Sequence, residues 1–102
     1  MNKENFPEPL KKAVIFGLGT RYEAIKDDLS KRYNVVALAD NSKDKIGTVI
    51  DGLTVSSPDG IKDINYDLII ITAHHVEIIY QLCKLGVPAN HIKLDYEVIR
   101  TI

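Results

Sequence analysis

The segment Gly17-Leu18-Gly19-Thr20-Arg21-Tyr22 is the stretch best suited to chemistry, and that chemistry is the holding of an anion. A phosphate pressed against backbone needs residues with no Cβ in its way. It also needs free N–H groups aimed at it from the start of a helix. Gly17 and Gly19 meet the first need, and the helical pattern opening at about Thr20 meets the second. Arg21 adds the one cation of the turn. In the Gly-x-Gly-x-x-Gly fingerprint the third glycine lets helix and strand pack closely. Tyr22 occupies that place, so the helix is expected to tilt or lift, and the turn departs from a full NAD-like diphosphate cradle.

Asp40 closes the second apolar run, about 20 residues after Gly19, where such units carry their ribose-reading acid. A carboxylate there accepts hydrogen bonds from ribose hydroxyls and repels a 2′-phosphate, which favours NAD over NADP for a dinucleotide ligand. Its plainer role is to cap the N–H groups of Ser42 or Lys43 beyond Asn41. Thr72-Ala73-His74-His75 follows the apolar run Leu68–Ile71, at the edge where open α/β sheets bind ligands. His74 suits a phosphate or sugar hydroxyl there, or simply the start of a helix. Adjacent histidines on a helix diverge and no third ligand has suitable spacing, so no metal site is expected.

Tyr80-x-x-x-Lys84 has the spacing of the acid/base pair in short-chain dehydrogenases, but it lies inside a helical segment, far from the strand ends. It reads as coincidence, and Cys83 reads as a small core residue. No catalytic residue is assigned.

These residues need elements to place them. Residues 1–12 read as a polar leader, and 13–102 as one domain. Ala13–Phe16 and Val35–Ala39 are short runs without alternation, as in strands covered on both faces. Between them Tyr22, Ile25 and Leu29 share one helical face. Asp51-Gly52 between β-formers signals a hairpin leading to a third strand near Val55. Ser57-Pro58 opens a short helix containing Gly60. Asp67–Thr72 is a central strand, and His75–Leu85 a helix ended by Gly86 with Pro88 beyond. His91–Leu94 is an edge strand, and Asp95 caps a terminal helix over Tyr96–Ile102. Strands alternating with helices predict a small, doubly wound, mainly parallel α/β sheet of about five strands, Rossmann-like, with helices on both faces. The apolar residues of the His75–Leu85 helix cover more than one stripe, so its outer face suits a partner.

Composition narrows the function classes. The 102 residues carry a formal net charge of -1, 45% apolar residues and one cysteine. That charge gives no broad basic field, so no nucleic-acid partner is expected. A polar start, Met1–Asn5, and a longest apolar run of only Leu68–Ile71 predict neither signal peptide nor membrane span, and the expected location is the cytoplasm.

Taken in order, Val14–Gly19, Val36–Asn41, Lys45–Gly47, Ile50–Val55, Ser57-Pro58 and Tyr66–Thr72 resemble the Rossmann-like domains of bacterial polysaccharide and surface-sugar biosynthesis proteins. Such domains occur beside sugar-nucleotide dehydratases and epimerases, and similar units precede the left-handed β-helix of sugar acyltransferases. The resemblance implies a pocket for a nucleotide or sugar nucleotide, with NAD or a UDP-sugar as the ligand. Its lining would fall on Gly17, Leu18, Gly19, Thr20, Arg21, Asp40 and Asn41, with Thr72 and His74 facing the same crevice. It also implies that catalysis belongs to an attached domain, so the chain is expected to be a binding module. The alternatives are a fragment of an NAD-dependent sugar-nucleotide enzyme, or a protein-interaction or homodimerisation domain whose nucleotide site has decayed.

Overall fold

A computed structural model describes residues 9–99. The first eight residues of the expected leader and the last three of the expected terminal helix lie outside the described residues. Strand β1 (Lys12–Phe16) leads into helix α1 (Thr20–Arg32), which returns the chain to β2 (Asn34–Ala39). A hairpin of β3 (Val49–Ile50) and β4 (Leu53–Ser56) follows. A 3-10 turn (Asp59–Asp63) then precedes β5 (Leu68–Ile71) and helix α2 (His75–Lys84). Another 3-10 turn (Ala89–His91), β6 (Ile92–Leu94) and the short helix α3 (Asp95–Val98) complete the described chain.

The six strands form one sheet in the order β3-β4-β2-β1-β5-β6. All neighbours are parallel except the β3–β4 hairpin. That hairpin supplies the sixth strand beyond the five expected. Asp51 (φ 52) and Gly52 (φ 80) both take left-handed backbone, the geometry that matches a two-residue turn to twisted strands, and it pairs the two residues of β3 with β4.

Burial on both faces accounts for the apolar strands. From β1 and β5, Ala13, Ile15, Leu68 and Ile70 face one layer with Ile25 and Leu29 of α1, and with Ile99 after α3. Val14, Phe16, Ile69 and Ile71 face the other layer, with Ile61 of the first 3-10 turn and Ile78 and Leu82 of α2. Helical elements therefore cover both faces, as the Rossmann-like reading requires.

Helix α2 ends in a Schellman motif: Gly86 (φ +92) donates its N–H to the Cys83 carbonyl at 3.0 Å, and Val87 donates to the Leu82 carbonyl at 3.0 Å. Its outer face exposes two large apolar side chains, Val76 at 78% and Tyr80 at 66%, beside Glu77 and Lys84. Cys83 corrects the expectation of a core position. It is exposed, because it lies one residue past the inward-facing Leu82 and so about 100° further round the helix. Among the described residues no helix is long and apolar enough to cross a membrane.

Candidate functional site

The chain runs outward from β1 through β2 to β4, then returns to place β5 on the other side of β1. That reversal is a topological switch point, and the crevice beyond the carboxyl ends of β1 and β5 is where ligands bind in such sheets. The glycine turn lies there. Gly17 has φ +110, and a Cβ on it would meet the Thr72 hydroxyl oxygen at 2.6 Å, so position 17 requires glycine. Its N–H donates to the Ala39 carbonyl at 2.9 Å. Thr72, which is buried, donates its hydroxyl to the Gly17 carbonyl at 2.6 Å.

Asp40 holds the turn from the β2 side. One carboxylate oxygen accepts the Leu18 N–H at 2.9 Å and the other accepts the Ser42 N–H at 2.8 Å. The capping role therefore exists on Ser42 and extends to the turn itself. Each carboxylate oxygen has a further lone pair, and Asp40 still lines the crevice.

Gly19 is different. A Cβ on it would meet nothing within 4 Å. It precedes the first turn of α1, where Glu23 donates to the Gly19 carbonyl at 3.2 Å. Among the described residues no acceptor meets the N–H groups of Gly19, Thr20, Arg21 or Tyr22, so the helix start keeps its unsatisfied donors.

Tyr22 does not close this spot. Its ring is buried in the α1 layer, and its hydroxyl donates to Asp51 in the hairpin at 2.7 Å. Lys26 pairs with the same carboxylate at 3.3 Å and with Glu23 at 2.8 Å. Burial, then the Asp51 carboxylate, pushes the Tyr22 phenol far above its ordinary range. The Tyr22 hydroxyl, aided by Lys26, holds Asp51 below the usual carboxylate range. A cavity of about 160 Å³ remains beside the ring, floored by Ile15, Leu29, Val35 and Leu53.

The crevice at the carboxyl edge has a volume of about 240 Å³. Of the residues singled out in the sequence, Gly17, Leu18, Gly19, Asp40, Asn41 and His74 line it together. His74 is exposed and holds left-handed backbone (φ 46, ψ 52) ahead of α2, a conformation uncommon for a residue with a Cβ. Asn41 and Gln81 of α2 exchange amide hydrogen bonds at 3.0 and 2.9 Å.

Thr20, Arg21 and Thr72 are not part of that lining. Thr20 is exposed at the helix start, Thr72 lies behind the turn, and Arg21 pairs through Nε with Asp95 at 3.0 Å. Asp95, expected as the cap of the terminal helix, is 4% exposed. Its carboxylate also lies 3.2 Å from His75 Nε2.

Sequence reasoning missed Lys45. Its ammonium donates to the Leu18 carbonyl at 3.1 Å and lines the crevice. The available signal was a lysine in the polar loop directly after the acid that ends β2. Tyr80 and Lys84 sit together on the outer face of α2, the ammonium 5.3 Å from the ring centroid, remote from the crevice lining. Among the described residues no group of three His, Cys, Asp or Glu side chains is placed to hold a metal ion.

Residues 9–93 match the family model described as C2185-like, N-terminal. No curated protein matches the sequence. Among solved structures, UDP-D-quinovosamine 4-dehydrogenase from Vibrio fischeri is similar at TM-score 0.62 and 24% identity, over 83% of this chain and 75% of that one. RSP, a Rex-family repressor, is similar at TM-score 0.60 and 17% identity over 84% of this chain. The same repressor in complex with beta-NADH gives TM-score 0.59. The match spans 52% of the repressor chain in both cases. At these identities the likeness establishes a Rossmann-like α/β fold.

Proposed function

The chain belongs to the C2185-like N-terminal family, and we propose that it is a nucleotide-binding module that holds a phosphate or diphosphate on the turn after β1. The observation that carries this reading is the open backbone at Gly19, with N–H groups behind it that lack acceptors among the described residues and the Lys45 ammonium beside it. Backbone donors at a helix N-terminus favour negative charge, and a neighbouring ammonium adds to that field. Asp40 and His74 flank the same opening, with oxygen and nitrogen atoms able to meet sugar hydroxyls. Asp40 disfavours a 2′-phosphate, so NAD is preferred over NADP among dinucleotides.

The sugar-nucleotide reading is supported by the likeness to a UDP-sugar dehydrogenase and by the sequence resemblance to surface-sugar biosynthesis domains. On this reading a UDP-sugar is the alternative to NAD, the role is in bacterial polysaccharide or surface-sugar synthesis, and chemistry belongs to an attached catalytic domain. A second reading is a protein-contact or homodimer domain, favoured by the exposed Val76 and Tyr80 on α2.

Titration of NAD, NADP and UDP-sugars, followed by amide NMR shifts, tests the proposal. Shifts at Gly17, Gly19, Asp40 and Lys45 are the expected result. Silence at those amides with every ligand would overturn nucleotide binding and leave the contact reading.

A further inference from the structure

The carboxyl edge has two halves, one on each side of the switch point between β1 and β5. An extended ligand in such a sheet lies across both. Toward β2, the bare backbone at Gly19, the Lys45 ammonium and the Asp40 carboxylate line the open crevice. Toward β6, groups of the same kinds face one another. Asp95, the residue after β6, is buried, and its carboxylate lies 3.0 Å from Arg21 Nε and 3.2 Å from His75 Nε2. It also accepts the Tyr96 N–H at 2.7 Å. The Tyr96 ring stands edge-on to His75, centroids 5.7 Å apart.

These contacts tie the first turns of α1 and α2 to the end of β6, and none of the four residues lines the crevice. A carboxylate withdrawn from water is stable only while paired. A ligand entering between these groups would separate Asp95 from Arg21, its hydrogen-bonded partner, and leave the carboxylate uncompensated. On the open half the crevice volume of about 240 Å³ falls below the roughly 300–1,000 Å³ usual for small-molecule sites. Among the described residues Lys45 has one side-chain hydrogen bond, to Leu18, and an ammonium carries two further N–H groups for phosphate oxygens.

We infer that the site takes a single nucleotide unit, a nucleoside with its mono- or diphosphate, and that any group attached beyond the diphosphate projects into solvent instead of lying along β5 and β6. This rests on the nucleotide-binding reading and narrows its ligand class.

Calorimetric titration of the full chain with ADP, UDP, NAD and UDP-glucose tests it, each extended ligand being compared with its nucleoside diphosphate. The expected result is affinities within about twofold for each pair, since groups that stay solvated add little to binding. Amide shifts on adding the extended ligand should stay confined to the turn and to residues 40–45. An extended ligand bound more than about tenfold tighter, a gain of about 1.4 kcal/mol, would overturn the inference and leave nucleotide binding intact. Extra shifts at His75, Asp95 and Tyr96 would do the same. Failure of all four ligands to bind would overturn both.

Discussion

The turn after β1 has an inner end at Gly17 and an outer end at Gly19, and the two are built differently. At the inner end both backbone polar groups of Gly17 are bonded within the protein. Gly17 donates to Ala39, and its carbonyl accepts the Thr72 hydroxyl. At the outer end the backbone faces open space, and the helix donors behind it lack acceptors among the described residues. The fingerprint treats both positions alike, as glycine. In this chain one glycine is there because the protein presses on it, and the other because nothing does. A motif residue can thus serve packing or binding, and its surroundings decide which.

Gly17→Ala should produce the largest effect. The new methyl meets the Thr72 oxygen at 2.6 Å on a backbone with φ +110. Strain and collision together should cost about 2–4 kcal/mol of stability, read as a lowered midpoint in urea. A variant as stable as the parent would mean that the inner end is not packed as described. Gly19→Ala should reverse the pattern. Its methyl enters open space, so stability should change by less than about 1 kcal/mol. Nucleotide affinity should fall about tenfold or more, the loss of about 1.4 kcal/mol expected from blocking close approach to the backbone. Unchanged affinity would remove the outer end from the site.

The outer end is open because the Tyr22 ring is held away from it, on the hairpin. Tyr22→Phe removes the hydrogen bond to Asp51 and should cost about 1 kcal/mol at neutral pH. The raised phenol pKa fixes the sign of the pH dependence. The folded state keeps the proton to higher pH than the unfolded chain does, so this contribution is complete below about pH 10 and declines as pH rises above it. The stability difference between parent and variant should therefore shrink in alkali. A difference that stays constant to pH 11 would show that the hydroxyl does not hold the ring in place.

Much of this arrangement is legible in sequence because it is local. Apolar runs of four or five residues mark β1, β2 and β5, and Asp51-Gly52 marks the hairpin turn. The two glycines mark the turn, since backbone needs show directly in residue type. Pairings made across the fold are not legible. Nothing near Arg21 in sequence announces Asp95, and nothing near Asp40 announces that its carboxylate meets the Leu18 N–H. Asp95 reads as a helix cap because Asp at a strand end is usually one, whereas its burial depends on where α1 and α2 begin. Cys83 reads as core because α2 is apolar on more than one side, and periodicity alone does not say which side faces the sheet.

Lys45 offers the smallest effect and the finest division between the two ends of the turn. Its ammonium is half-buried and donates to the Leu18 carbonyl at 3.1 Å, so it touches the turn midway between Gly17 and Gly19. If it belongs to the outer end, Lys45→Ala removes one cation near a bound phosphate. In a partly solvated setting that should weaken nucleotide binding about threefold at 0.15 M salt, with a larger loss at 0.01 M, where screening is weaker. Stability should move by less than about 0.5 kcal/mol, because water can replace the ammonium at the Leu18 carbonyl. The opposite outcome, a loss of stability with affinity and its salt dependence unchanged, would assign Lys45 to the packed inner end. Only the helix donors would then hold the anion.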